Sequence, residues 1–333
     1  MKPSVCIVVP VYNEEEVLPA FHQRISEVMD TMPAYSWHLL LVNDGSRDAS
    51  ARLIDAMAAS DARITVVHLS RNFGKEVAMA AGLDHADADA TILIDADLQD
   101  PPELMQAFID EWQSGYDMVY AQRLSRHGDS WFKRSTAAGF YRLIGRMSSV
   151  RIPPDTGDYR LLSRRAVLAV RQLREHHRFM KGLFAWIGYP SKAVTFHRDA
   201  RAAGGSKFNF WRLWNFAIEG ITSFSIVPLK LATYFGSLIA LAALLRGLWV
   251  IFKTLVWSDP VPGYPSLMVT LLFLGGMQLM FIGILGEYIG RIFNETKGRP
   301  LYFIDRVTGH SDQGSASTQP PEPGEKALAR TGA

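Results

Sequence analysis

Residues 91–100 read TILIDADLQD: a short apolar run that ends in two carboxylates one residue apart, Asp95 and Asp97, followed by Gln99 and Asp100. A buried strand that delivers two acids to its own C-terminal end builds a hard, oxygen-rich cation site. Oxygen ligands suit Mg2+ or Mn2+, and such an ion keeps open positions for the oxygens of a bound phosphate. The D-x-D pattern alone is a weak signal, because Asp is common and short motifs recur by chance. The chain carries its own control: Asp87 and Asp89 make a second D-x-D in a polar stretch with no strand before it. Position, not pattern, separates the two.

Working outward, apolar runs recur at 5–9, 38–42, 64–69 and 91–94, each followed by a polar cluster and then a helical pattern. The clusters are Pro10-Val11-Tyr12-Asn13-Glu14, Asn43-Asp44-Gly45-Ser46, Ser70-Arg71-Asn72-Phe73-Gly74-Lys75 and the Asp95 group. Strands alternating with helices imply right-handed βαβ units and a parallel sheet. Ligands of such sheets bind outside the carboxyl ends of the strands, where all four clusters fall. Neither the dinucleotide fingerprint G-x-G-x-x-G nor the phosphate loop G-x-x-x-x-G-K-[ST] follows the first strand. Phosphates must then be neutralised by a metal and by Lys or Arg. Tyr12 offers a ring to stack on a base or sugar. Asp44 has two readings, an acceptor for ring N–H groups of a base or a turn former and helix N-cap. Lys75 likewise reaches a phosphate or is a solvated first-turn lysine.

The bulk numbers exclude several classes. A net charge of +2 over 333 residues gives little attraction to polyanions, so no nucleic-acid partner is expected. The single Cys6 forms no internal disulfide and reads as a small buried thiol of a reducing compartment. The first apolar run is too short for a signal peptide. The C-terminal third differs: 231–257 is almost wholly apolar apart from Arg246 and Lys253, and 267–286 carries no charge. Each reaches the roughly 20 residues needed to cross a bilayer core. Arg246 costs about 2.5–3.5 kcal/mol at a helix centre, which the surrounding apolar residues offset at about 0.3–0.6 kcal/mol each. The loop at 258–266 has no Lys or Arg, whereas Arg291, Lys297, Arg299 and Arg306 follow the second span. The positive-inside rule then puts both chain ends in the cytoplasm.

After Tyr120 the chain turns basic, with Arg123, Arg126, Lys133, Arg134, Arg142, Arg146 and Arg151, either a solvated face or a surface for anionic lipid and lipid phosphate. Asp155-Thr156-Gly157-Asp158-Tyr159-Arg160 adds acids beside a glycine. Arg201-Ala202-Ala203-Gly204-Gly205-Ser206-Lys207 gathers glycines, a hydroxyl and two cations, loop chemistry suited to a diphosphate. It runs into an aromatic stretch, Phe208 to Ile218, that reads as a helix lying in the headgroup plane or as a core helix. His176-His177 is left unassigned. The expected organisation is a cytoplasmic catalytic domain at 1–206, an interfacial helix at 207–228 and spans at 229–257 and 266–290. A juxtamembrane segment at 291–308 and a disordered tail at 309–333 follow.

Collected in order, VVPVYNEE, NDGS, SRNFGK, DADLQDPPE, DTGDYR and R-x-x-G-x-S-K resemble the family 2 glycosyltransferases of GT-A fold. The polyprenyl-phosphate subgroup, with dolichyl-phosphate mannose synthase and the bactoprenol glucosyltransferases, is the most similar. The resemblance runs from about residue 5 to about residue 304 and includes LKLATYFG, GEYIGR and GRPLY near the spans. It implies a GT-A α/β fold with a mainly parallel sheet, then an interfacial helix and a two-helix membrane hairpin. Pro10, Tyr12, Glu14, Val42 and Asp44 would hold the nucleoside. Asp95, Asp97 and Gln99 would surround Mg2+ or Mn2+, with Asp97 the direct ligand. Arg201 and Lys207, beside Ser206, would clamp a diphosphate or the acceptor phosphate, and Arg123 and Arg134 would receive the lipid phosphate. Arg246 departs from the mostly apolar first span of the subgroup.

The implied reaction is inverting transfer of a hexose, glucose favoured, from a nucleotide sugar such as UDP-glucose to undecaprenyl phosphate at the inner membrane. Asp158 would serve as base or only orient the substrates. A processive polysaccharide synthase and a non-catalytic nucleotide-sugar-binding protein are the alternatives. The first lacks support, since no Q-x-x-R-W motif occurs. Two spans are too few for a pore and suggest a homo-oligomer.

Overall fold

The computed structural model describes residues 2–123, 156–176, 178–196, 227–257 and 263–309. Of the expected site residues, Arg134, Arg201, Ser206 and Lys207 lie outside these, as does the side chain of Arg123. The interfacial helix expected at 207–228 lies outside them but for its last two residues, and the tail at 309–333 but for its first.

The four apolar runs form β1 (Ser4–Val11), β2 (Ser36–Asn43), β3 (Ile64–Leu69) and β4 (Ala90–Leu93). They alternate with α1 (Leu18–Thr31), α2 (Ser50–Ser60) and α3 (Lys75–His85). β1 pairs in parallel with β2 and β4, and β2 with β3. α4 (Leu104–Gln113), β5 (Met118–Arg123), β6 (Thr156–Ser163), α5 (Arg164–Arg171), α6 (Met180–Trp186) and β7 (Ser191–Phe196) follow. β6 is inserted antiparallel between β4 and β5, and β8 (Ile304–Gly309) runs antiparallel along β3. The order is β7-β5-β6-β4-β1-β2-β3-β8, so the sheet is parallel across its first four strands and mixed beyond them.

Side chains alternate across a strand, and β1 shows what that does when both faces are covered. Val5, Ile7, Val9 and Val11 join the core beneath α1 and α4, while Cys6 and Val8 join the core beneath α3. Burial pushes the Cys6 thiol up to about 12, which leaves it inert at neutral pH. Small residues bring α3 close to the sheet: Ala78, Ala81 and Gly82 are buried, and a Cβ on Gly82 would overlap Val8 Cγ1.

The apolar segments form α7 (Val227–Trp257) and α8 (Tyr264–Thr296), both long and apolar enough to cross a membrane. The 33 residues of α8 extend about 50 Å, more than the roughly 30 Å of a bilayer core, so part of it stands clear. Near its C-terminal end His176 finds its place: the His176 N–H donates to Glu295 Oε1 at 2.8 Å, and its Nε2 lies 2.8 Å from the Arg299 carbonyl. Beyond the helix, Tyr302 donates to Asp84 at 2.8 Å and Arg306 pairs with Asp55 at 2.7 Å. The segment at 291–308, expected as juxtamembrane, consists of a helix end and a sheet strand that fasten α8 to the domain. Its apolar content is too sparse to read as a strand: Ile304 and Val307 are the two apolar residues of β8.

Candidate active site

Most of the described site residues gather at the carboxyl edge of the parallel strands, joined there by residues of antiparallel β6. The turn after β1 is held to the turn after β2 by a ladder of side-chain bonds. The Asn13 N–H donates to Ser46 Oγ at 3.1 Å, the Arg47 N–H to Asn13 Oδ1 at 2.8 Å, and the Glu14 N–H to Ser50 Oγ at 2.8 Å. Asn13 adopts φ 54°, a left-handed conformation that Asn tolerates. Between Tyr12 and Glu14 this reversal turns the chain out over the site, leaving the Tyr12 ring 42% exposed.

Asp44 is 3% exposed and its carboxylate accepts from the backbone N–H groups of Phe73 at 2.7 Å and Gly74 at 3.0 Å. It thus pins the loop that leads into α3. This tie between two strand ends is not one the sequence showed, and Asp44 also lines the cavity described below. Burial raises the Asp44 pKa against the lowering by those two N–H groups.

Lys75 is the first residue of α3, and its ammonium lies 2.7 Å from Asp95 Oδ2 and 2.6 Å from Asp158 Oδ2. Lys75 therefore bridges two carboxylates while its exposed side chain also lines the cavity. Register explains the arrangement: β4 pairs with β6 up to Leu93 opposite Arg160, and continuing that register two residues would bring Asp95 toward Asp158, the two acids that Lys75 bridges. Like charges opposite each other across two strands repel, and Lys75 resolves that repulsion. Burial would lower the Lys75 pKa, but Asp158 and Asp95 hold it above the ordinary range. Burial would raise Asp158, yet Lys75 and Lys181 hold it below the usual carboxylate value. Asp95 is raised, by burial first, with Lys75 opposing and Asp158 and Asp97 adding.

A cavity of ≈ 240 Å³ opens at this edge, lined by Pro10, Tyr12, Glu14, Asp44, Lys75, Asp95 and Asp97 among others. Two expected residues are elsewhere. The Val42 side chain is fully buried in the core against α3, so it presents no side chain to a nucleoside. Gln99 does not line the cavity; its backbone N–H donates to Asp97 Oδ1 at 3.1 Å across Leu98, which sits at φ 54°. Leu in that region is uncommon and costs roughly 1–2 kcal/mol, so the turn that presents Asp97 is held under strain.

No group of three acidic, His or Cys side chains among the described residues forms a closed metal cage. The donor chemistry nevertheless suits a hard dication. Asp95 and Asp97 share the cavity with Glu14, whose pKa is raised by burial and then by Asp97 and Asp95. A dication offsets that excess, and Mg2+-type ions use only one or two carboxylates and take substrate phosphates for the rest.

With the geometry in place, the comparisons decide the family. Glycosyl transferase family 2 matches residues 6–170, and the GtrB C-terminal hairpin matches 227–292. The SfII prophage-derived bactoprenol glucosyl transferase of Shigella flexneri is 49% identical over 303 residues, 91% of this chain and 98% of the relative. The chain belongs to glycosyl transferase family 2. This glycosyltransferase is also 50% identical over 309 residues to an uncharacterized glycosyltransferase of Synechocystis, covering 93% of this chain and 97% of that one. Among solved structures, the glucosyl-3-phosphoglycerate synthase of Mycobacterium tuberculosis aligns at 17% identity with a TM-score of 0.43, over 66% of this chain and 78% of that one.

Glu76 and Lys181 went unnoticed in the sequence, and Arg160 was quoted there with no role of its own. Arg160 is 6% exposed, lies 4.0 Å over the Phe184 ring, and donates to the Gly157 carbonyl at 2.9 Å. Glu76 follows Lys75 directly, so its place beside the site was available once α3 was set. Lys181 had no signal, since α6 contacts the site only through the fold.

Proposed function

We propose that this glycosyltransferase moves glucose from UDP-glucose to undecaprenyl phosphate, inverting the anomeric carbon, at the cytoplasmic face of the membrane. One observation carries the reading: the identity to a bactoprenol glucosyl transferase runs through 91% of the chain, and the catalytic sheet and the apolar hairpin each match a family of their own. An enzyme that joins a nucleotide sugar to a lipid must meet both, and this chain carries a part suited to each.

The chain's residues then divide the work. Tyr12 stacks on the nucleoside over the floor made by Pro10, with Glu14 beside it. Asp95 and Asp97 hold Mg2+ or Mn2+, which when bound supplies Lewis-acid stabilisation of the departing diphosphate. Arg201 and Lys207 add positive charge there and Ser206 a hydroxyl donor, and Arg123 and Arg134 receive the lipid phosphate. The acceptor is a phosphate monoester whose second pKa is near ~6, so it arrives largely dianionic and needs no strong base. Asp158, kept ionised by Lys75 and lowered in pKa, is a weak base and a good anchor for a sugar hydroxyl.

The test is one reaction. The purified full chain is incubated with Mg2+, radiolabelled UDP-glucose and undecaprenyl phosphate, and the product is partitioned into chloroform. A chloroform-soluble, singly glucosylated lipid is expected. A long polymer, or no lipid-linked glucose with any of a panel of nucleotide sugars, sinks the proposal.

A further inference from the structure

The row of charges that starts in the cavity continues past Asp158. On its far side stands α6, fixed there by two contacts. The Met180 N–H donates to Glu76 Oε2 at 2.8 Å, and Glu76 adjoins Lys75 in α3. Phe184 packs its ring under Arg160, whose Nε donates to the Asp158 carbonyl at 3.3 Å. Lys181 lies one residue after Met180 and three before Phe184, so it shares the helix face turned toward β6.

Two groups in this corner are unmatched. Lys181 is half-buried and makes no hydrogen bond or ion pair among the described residues, although Asp158, Arg160, Glu76 and Lys75 all bear on its charge. Asp158 Oδ1 is buried without a hydrogen-bond donor among the described residues, its other oxygen being taken by Lys75. The other two cations are already satisfied, Lys75 by two carboxylates and Arg160 by two carbonyls and a ring. One unmatched group donates to an anion and the other accepts from a hydroxyl. That is the pair required where a phosphate oxygen meets a sugar. Burial also holds the Lys181 pKa down, which a bound anion would reverse.

We propose that Lys181 binds a phosphate oxyanion of the substrates beside Asp158, the acceptor's phosphomonoester, and so forms the acceptor side of the site. The inference rests on the function proposed above. The donor diphosphate offers the same chemistry, and the experiment separates the two sources.

Full-length wild type, Lys181→Met and Lys181→Arg are compared in nanodiscs. The readouts are KM for undecaprenyl phosphate, KM for UDP-glucose, Kd for UDP by calorimetry, and thermal stability. Loss of one charge-assisted contact should raise the undecaprenyl phosphate KM of Lys181→Met about tenfold or more, with UDP affinity unchanged. Lys181→Arg, which keeps the charge, should stay near wild type. A shift confined to UDP-glucose and UDP supports phosphate binding but overturns the acceptor assignment in favour of the donor. Unchanged constants in Lys181→Met, or equal impairment of both variants with lowered stability, overturn the proposal. A wild type that makes no lipid-linked glucose overturns the proposed function itself, and the acceptor assignment with it; an active wild type beside unaffected variants overturns only the role of Lys181.

Discussion

Strand β4 has an Asp-x-Asp pair at each end, and the two have opposite surroundings. At the amino end Asp89 Oδ2 accepts from the Ser4 N–H at 2.8 Å and the Ser4 hydroxyl at 2.9 Å, while Asp87 pairs with Arg164 at 2.6 Å on the open surface. Each acid there has donors, and Asp89 is held below its ordinary pKa by the Ser4 backbone and hydroxyl. At the carboxyl end Asp95 shares Lys75 as an ion-pair partner with Asp158 and shares a cavity with Asp97 and Glu14. The first pair is a staple between β1 and β4. The second is an excess of negative charge maintained by the fold, and local conflict of that kind marks functional sites. A parallel sheet supplies the asymmetry, because turns after its strands all open on one edge.

The largest effect should come from breaking the carboxyl end. Asp97→Ala should lower transfer by about 10²–10³-fold or more, the loss typical of removing a group aimed at transition-state charge. Membrane insertion and melting temperature should stay unchanged. Substantial activity in the purified variant removes the cation site from the mechanism. Next in size is the support beneath that edge. Gly82→Ala forces a methyl into Val8 and should destabilise the domain by about 1–3 kcal/mol, as overpacking does, lowering the melting temperature while Gly236→Ala in α7 does not.

The same contrast explains what was legible in the sequence. The four parallel strands were readable because each is fully covered and so written as a continuous apolar run. The acids at their ends were readable because Asp95 and Asp97 interrupt such a run abruptly. Contacts that depend on register were not. Nothing near Asp158 names Asp95 as its neighbour, because that pairing is set by the antiparallel insertion of β6. The ion pairs of Lys75 were hidden for the same reason: its two carboxylate partners are 20 and 83 residues away. The bonds of Asp44 to the N–H groups of Phe73 and Gly74 were also hidden, since N-D-G-S points only to a local turn and those partners lie about 30 residues on. β8 was missed because five of its six residues are exposed, so burial left no apolar pattern.

Asp158→Asn sharpens the carboxyl end further. An ion-paired carboxylate of lowered pKa is a poor base, so kcat should fall by less than tenfold, about 1.4 kcal/mol. The pH–rate profile should keep its acid limb. A larger loss together with a flattened limb assigns Asp158 the proton-accepting role instead.

The smallest effect belongs to the amino end. Asp89→Ala removes two hydrogen bonds to Ser4 and should cost about 1 kcal/mol of stability at pH 7, with transfer near wild type. The sign of its pH dependence follows from the direction of the shift. The folded pKa of Asp89 lies below the unfolded value, so its contribution is complete above the unfolded pKa of roughly 3.9 and is lost as pH falls through the folded one. The gap in melting temperature between wild type and Asp89→Ala should therefore be constant from pH 8 to pH 5 and close in stronger acid. A gap that widens toward acid contradicts the staple. Transfer lost as deeply as in Asp97→Ala contradicts the larger point, because the two ends of β4 would then no longer differ in kind.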